Sequence, residues 1–317
     1  MNNAGPTSTS RHPDTSKRRR AIAALIASMV IGSTVPILVR WSEVGPVSTA
    51  FWRMAIGGGL AIVVLRPWRD GRAVLSRGMV IGLGIGGALF AADLATFHLA
   101  IGATSVANAS LLNNLAPLFA GAIAVVFGRP PSRRFWLGTA LAIIGATVLF
   151  FPKFDRGSPE LVGLGIGLTS ALFFACYLLV VERLRDACST ITIVAWTGLA
   201  AAAVLLPTAW AAGEQLVPAT LEGWIVLAAL AIIAQGVGQA LVVYALAGLS
   251  GPEAGAGILL QVVATAVLGV LLLGEAVGMA LIVGGTTILL GVVMATSRGD
   301  GRGEGGPPIA KASISAS

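Results

Sequence analysis

Charge is scarce in this sequence. Asp, Glu, Lys and Arg together make up 11% of its 317 residues, where soluble domains carry about 25%. Too few charged side chains are present to cover a water-facing surface. Histidine and cysteine are scarcer still, with two of each. Those shortages exclude whole classes of chemistry. A zinc protease needs two histidines in H-E-x-x-H, and a haem carrier needs axial ligands. A disulfide framework or metal knuckle needs more cysteines, more closely spaced, than Cys176 and Cys188. A membrane serine hydrolase would have only His98 to serve as its base, and the loops are too short to house a separate catalytic domain. No metal, no cofactor and no enzymatic activity are expected.

Apolar residues are what the chain has in quantity, at 56%, with a mean hydropathy of +0.88. The charge balance is basic, 21 Lys and Arg against 14 Asp and Glu. Spread over one face, that excess would fit nucleic acid. Instead, 17 of the 21 cations fall in the tails and a few short polar loops, the pattern of a membrane protein obeying the positive-inside rule. A lipid bilayer is the expected partner, not nucleic acid. The N-terminal "RHPDTSKRRR" precedes the apolar run "AIAALIASMVIGSTVPILV". That run is longer than a signal-peptide core and has no small-residue cleavage site after it, so it reads as a retained first span.

A span needs roughly 20 apolar residues. On that basis the chain reads as an all-α integral membrane protein with ten spans, near 21–39, 47–65, 79–100, 104–127, 135–151, 161–181, 190–211, 223–246, 251–272 and 276–296. The loops "RPWRDGR" with Arg77, "GRPPSRR" and "ERLRDAC" share one side with both tails, leaving Arg40, Lys153 and Arg156 opposite. Both termini are then cytoplasmic, in a cell (plasma or inner) membrane, and the number of spans is even. Residues 1–20 and 297–317 read as disordered cytoplasmic tails.

The two halves echo one another. A shift of 146 places Gly102, Gly128, Gly138 and Gly145 on Gly248, Gly274, Gly284 and Gly291, and Asp93 on Gln239. Five spans per copy put the second copy in the membrane upside down, so 21–151 and 161–296 form two inverted five-helix repeats. Such repeats build secondary transporters with a site near the midplane.

The stretch "FHLAIGATSVANASLLNNLAPLFAGAIAVVFG", with "VYALAGLSGPEAGAGILLQVVATAVLGVLLLGEAVGMALIVGGTTILLGVV" in the second half, resembles the EamA family of the drug/metabolite transporter superfamily. Pro117, Gly274-Glu275 and Arg53 match features of that family. Arg129 stands where the first half would have the acid of Gly-Glu, and Val263 where the second half would have the proline. The acid of Gly-Glu is therefore expected to be a structural cap. The resemblance implies ten spans in two inverted repeats and movement of small metabolites.

The polar residues inside the spans are the site candidates. Asp93 lies about 12 Å and Arg53 about 9 Å below the same face, at 1.5 Å per residue. Each charge costs a few kcal/mol in the bilayer, and their pairing would offset part of that. The pair is either a structural ion pair or the wall of a cavity, with Arg53 holding an anionic group and Asp93 a proton or an ammonium. Asn113 and Asn114, beside Pro117, and Gln239 and Gln261 in the second half complete the expected substrate or coupling set. Each amide could equally be interhelical glue. His98 lies about 140° around the helix from Asp93 and near the outer face, so it reads as an interfacial histidine or a protonation switch. Tyr177, Trp196 and Tyr244 are candidates for the cavity wall or gate, or belong to an aromatic belt, and Gln235, one turn before Gln239 on the same face, is a further candidate. The runs "GLGIGG" and "GLGIG" have no strand before them, so they read as close helix packing and not as phosphate loops.

The function expected is an alternating-access secondary transporter of small polar metabolites, amino-acid-like or drug-like. Export is the expected direction, with protons the candidate coupling ion. An uptake permease or a facilitative exchanger of the same fold is the alternative. A channel would need rings of equivalent charges or a carbonyl filter, and neither is present in the sequence.

Overall fold

The computed structural model describes residues 15–65, 76–126, 131–154, 159–185, 187–238, 241, 245 and 251–296. Gln239 and Tyr244, the side chain of Gln235 and the two terminal segments lie outside the described residues. Within them all regular structure is helical: α1 Thr15–Arg40, α2 Pro46–Leu65, α3 Arg77–Ala103, α4 Val106–Asn113, α5 Ala116–Val126, α6 Arg133–Phe154, α7 Pro159–Leu184, α8 Thr190–Ala211, α9 Leu221–Leu230, α10 Gly251–Leu273 and α11 Met279–Thr296. Seven helical segments among these are long and apolar enough to cross a bilayer, and Leu260–Leu273 and Met279–Ala295 are shorter apolar helices. The protein is a multi-pass membrane protein.

Three boundaries differ from the sequence reading. First, α1 begins at Thr15, inside the segment expected to be a disordered tail. Lys and Arg at 17–20 are good helix formers and prolong the apolar helix beyond its hydrophobic part. Second, the expected span 104–127 is broken after Asn113 and resumes at Ala116. Pro117 has no N–H for the Asn113 carbonyl, and its ring crowds that carbonyl, so the helix kinks one turn before the proline. Third, α9 continues with π-type hydrogen bonding over Ala231–Gly238, a local widening in which the backbone turns more slowly.

Apolar burial drives little association in lipid, where the tails are as apolar as leucine; close packing of small residues and polar contacts replace it. The α6–α11 seam is built this way. A Cβ on Gly145 would lie 2.6 Å from the Gly284 carbonyl oxygen, and one on Gly284 would lie 2.7 Å from the Gly145 oxygen. Gly138 lies against Gly291 and Ala295 in the same manner. Residue 138 meets 291 and residue 145 meets 284, so the two helices run antiparallel with backbones in contact. α2 and α8 are also antiparallel: Gly58 abuts Leu199, while at the other end Ser48 meets Glu214.

The remaining helices pack across the bundle. α3 lies between α7 and α8, α1 packs on α10, and α4 and α5 pack on α7. Leu111, Leu112, Leu149, Leu164 and Ile288 are fully buried in the largest apolar cluster. A space remains between α1, α2, α3, α4, α7, α8 and α10, and the polar residues converge on it.

Adding one methyl to the α6–α11 seam should overpack it. Gly145→Ala is expected to destabilise the protein by about 1–3 kcal/mol. Gly165→Ala, exposed in α7 with nothing within 4 Å, should not destabilise and should gain up to about 1 kcal/mol of helix propensity. Thermal unfolding of the two variants in one detergent checks both.

Candidate functional site

Asp93 sits on α3, two-thirds of the way along the helix, and is only 4% exposed. Its Oδ1 accepts hydrogen bonds from Ser170 Oγ at 2.7 Å and from Asn113 Nδ2 at 3.0 Å. Asn113 Nδ2 also donates to Ser170 Oγ at 2.7 Å. The three side chains close a triangle between α3, the last residue of α4, and α7. The Pro117 kink has a role here, because it ends α4 at Asn113 and presents that amide to the carboxylate. A buried carboxylate without donors would be far costlier than one accepting two hydrogen bonds.

The expected Arg53–Asp93 ion pair does not form. Among the described residues, the two side chains are not in salt-bridge contact, and Asp93 is held by neutral donors. Ser170 and Asn113 reach the carboxylate from helices packed directly beside it, whereas Arg53 on α2 interacts with Asp93 only through the longer-range field. The Arg53 Nε is buried and has no hydrogen-bond partner.

Arg53 and Asp93 line one cavity of about 440 Å³, within the 300–1,000 Å³ typical of small-molecule sites. Asn113, Asn114 and Gln261 also line it. Gln261 lies flat over Gly32 of α1, where a Cβ would come within 3.2 Å of its Nε2. Tyr177 forms part of an aromatic wall, stacked on Phe90 with ring centroids 4.7 Å apart and on Phe174 at 6.0 Å. Ser110 adds a buried hydroxyl with no partner. At one end the lining continues through Val181 to Arg185, beside Ile193 and Val194. The cavity therefore extends towards the arginine-bearing end of α7 and the start of α8.

Other candidates fall elsewhere. His98 is 1% exposed and is not part of the cavity wall. Its Nδ1 lies 3.1 Å from the Pro46 carbonyl oxygen; a carbonyl can only accept, so Nδ1 carries the proton. His98 thus lies near the end of α3, and the start of α2 lies over the imidazole and covers it. Trp196 is 38% exposed and is not part of the cavity wall. Pro117 shapes the cavity through the kink and does not line it. Ser170, Ser110, Phe90, Phe174 and Arg185 were not foreseen. Ser170 is one small polar residue in an apolar run, and such a serine in sequence looks the same as one packing helices.

A family model described as the EamA-like transporter family matches residues 19–151 and 161–297. Among curated proteins, the "Pseudopaline exporter CntI" of Pseudomonas aeruginosa, from two strains, is 28% identical over 217 residues, covering 67% of this chain and 73% of that protein. A crystal structure described only as that of a protein aligns with a TM-score of 0.61 and 22% identity, covering 88% of this chain and 98% of the other. That likeness is one of fold.

The triangle around Asp93 should be cooperative. Asn113→Ala and Ser170→Ala are each expected to cost about 1–3 kcal/mol. The double variant should cost less than their sum, because both act on one carboxylate. A double-mutant cycle by unfolding in detergent reads the coupling; strict additivity would mean the triangle is not formed.

Proposed function

The chain belongs to the EamA-like transporter family, and from that premise we propose that it exports small polar metabolites by alternating access. It is a transporter of the drug/metabolite superfamily and not an enzyme. The observation that carries the finer reading is the cavity whose wall gathers polar side chains in an otherwise apolar bundle. Arg53, Asp93, Asn113 and Asn114 come to it from the first matched segment, and Tyr177 and Gln261 from the second. A site shared between two copies is where a rocking transporter holds its cargo.

We read the chain as ten spans in two inverted repeats, with both termini in the cytoplasm. Support comes from the antiparallel seams. α2 and α8, and α6 and α11, hold equivalent places in the two matched segments and run in opposite directions, as inverted copies must. In that orientation the Arg185 end of the cavity opens to the cytoplasm, where an exporter loads. The name of the 28% identical relative, an exporter, favours the same direction.

In this reading Arg53 binds an anionic group of the cargo, since its buried Nε–H has no protein partner to give up. Asp93 carries the coupling proton. Its hydrogen bond to Ser170 crosses from one matched segment to the other. A change in its charge would therefore act directly on a contact between the halves, and that is what couples a proton to a rocking motion.

Metabolite profiling of cells and medium tests the reading, comparing overexpressed wild type with Arg53→Ala at equal membrane abundance. At least one metabolite should rise outside and fall inside with the wild type. Arg53→Ala should lower that efflux by about ten- to a hundredfold, the loss of one charged hydrogen bond. Asp93→Asn should transport with a flattened pH dependence. Equal efflux from wild type and Arg53→Ala would overturn the role of Arg53, and pH-dependent efflux in Asp93→Asn would overturn that of Asp93.

A further inference from the structure

At the end of the bundle away from Arg185, three carboxylates each cross to the other matched segment and bind the start of a helix there. Two of them follow the same local device. Gly213 and Gly274 close α8 and α10 with φ of +67° and +66°, the left-handed conformation that glycine adopts without strain. The chain reverses there and the next residue, Glu214 or Glu275, points back over a neighbouring helix. Glu214 accepts from Ser48 N at 2.8 Å and Val47 N at 3.2 Å, in the first turn of α2. Glu275 accepts from Val106 N at 3.0 and 3.2 Å, at the first residue of α4. Arg40 ties into the same place, donating to the Thr104 carbonyl at 2.8 Å and lying 3.5 Å from Glu275.

The third carboxylate runs the other way. Glu43, in the turn between α1 and α2, accepts from the backbone N–H of Thr220 at 3.2 Å and from its hydroxyl. Thr220 is the residue that caps α9. The Thr220 hydroxyl holds the Glu43 carboxyl below the usual carboxylate range, so it is charged at neutral pH. Each contact sets an anion at the positive end of a helix, where unpaired N–H groups and the helix dipole both favour it.

A second feature is common to all three. Each carboxylate rests on a glycine whose missing side chain makes its room. Gly45 lies under Glu214, Gly223 under Glu43 and Gly269 under Glu275, where a Cβ would come within 2.8 Å of Oε2. Three carboxylates with three glycine seats all join one matched segment to the other at one end.

We infer that Glu43, Glu214 and Glu275 with their glycine seats are the outer gate, a three-point latch that must open for the cavity to face outwards. "Outer" rests on the orientation given under the proposed function. The latch itself rests on the contacts. The cavity lining reaches Arg185 at the opposite end, whereas at this end it stops at Pro36 and Phe97, and the three contacts lie beyond it. Any rocking of the halves that opens that side separates the helix starts from their carboxylates. The latch thus sets how often the outward-facing state is visited.

Accessibility of the cavity wall tests it in the full chain, in cells, with Cys176 and Cys188 replaced by serine. Val35→Cys reports on the cavity wall, probed with a membrane-impermeant maleimide added outside. Gln215→Cys, exposed in the α8–α9 turn, reports on orientation. Gln215→Cys should label from outside in every background. Val35→Cys should label at least about tenfold faster when Glu214→Gln and Glu275→Gln are present, since loss of one charged hydrogen bond shifts a two-state equilibrium by that much. Gly45→Ala keeps every charge and removes one seat, so it should speed labelling in the same direction. Unchanged labelling of Val35→Cys in these variants, at wild-type membrane abundance and monodispersity, would overturn the latch. Labelling of Gln215→Cys only from the cytoplasmic side would overturn the orientation, and the outer gate with it. Because that control does not depend on the latch contacts, the two failures are distinguishable.

Discussion

A carboxylate inside a bundle that lipid surrounds must find its donors within the protein. At the centre of a bilayer an unsupported acid costs about 2.5–3.5 kcal/mol on insertion scales. Asp93 meets this constraint through Ser170 and Asn113, and much of the interior follows from it. Satisfying the acid requires α3, α4 and α7 to meet at one point. α4 meets it only by ending at Asn113, where Pro117 breaks the helix. With Asp93 satisfied by neutral groups, Arg53 is left without a partner at Nε. A cationic donor in the cavity wall, free to meet a ligand, is the chemical consequence of that triangle.

Around this centre, small residues do two different jobs. Along the α6–α11 seam Gly138, Gly145, Gly284 and Gly291 bring two backbones into contact, which forms a rigid spine in a solvent that offers no hydrophobic drive. At the latched end Gly45, Gly223 and Gly269 face carboxylates instead of helices. The first set trades side chains for dispersion contacts over a long surface. The second trades them for a few charge-assisted hydrogen bonds that can form and break as a unit.

Fold class and membrane character were legible because they rest on composition and on long apolar runs, which no tertiary detail overrides. Asp93, Arg53, Asn113, Asn114 and Gln261 were legible as site candidates for the same reason, since polar atoms in hydrocarbon are costly and stand out. The glycine register at a shift of 146 related the equivalent seam residues, and in the structure Gly138 meets Gly291 and Gly145 meets Gly284 across the seam. Partners were not legible. Asp93 and Arg53 lie at similar depth, but depth leaves helix rotation open, and rotation decided that Ser170 reaches the carboxylate. The depth of His98 was read from its distance to the helix end, a measure that says nothing of the neighbouring helix lying over it.

The sequence by itself determined what each residue must avoid: apolar runs must span, and intramembrane polar groups must find partners or water. These follow from transfer free energies, which depend on residue type alone. Only the tertiary structure decided which partner each group found, because hydrogen bonding requires atoms within about 3 Å of each other. That proximity is set by helix rotation, by the kink at Pro117, and by the reversals at Gly213 and Gly274. The carboxylates of Glu214 and Glu275 show the distinction most plainly. In sequence each is an acid after a glycine; in the fold each holds the first turn of a helix more than a hundred residues away.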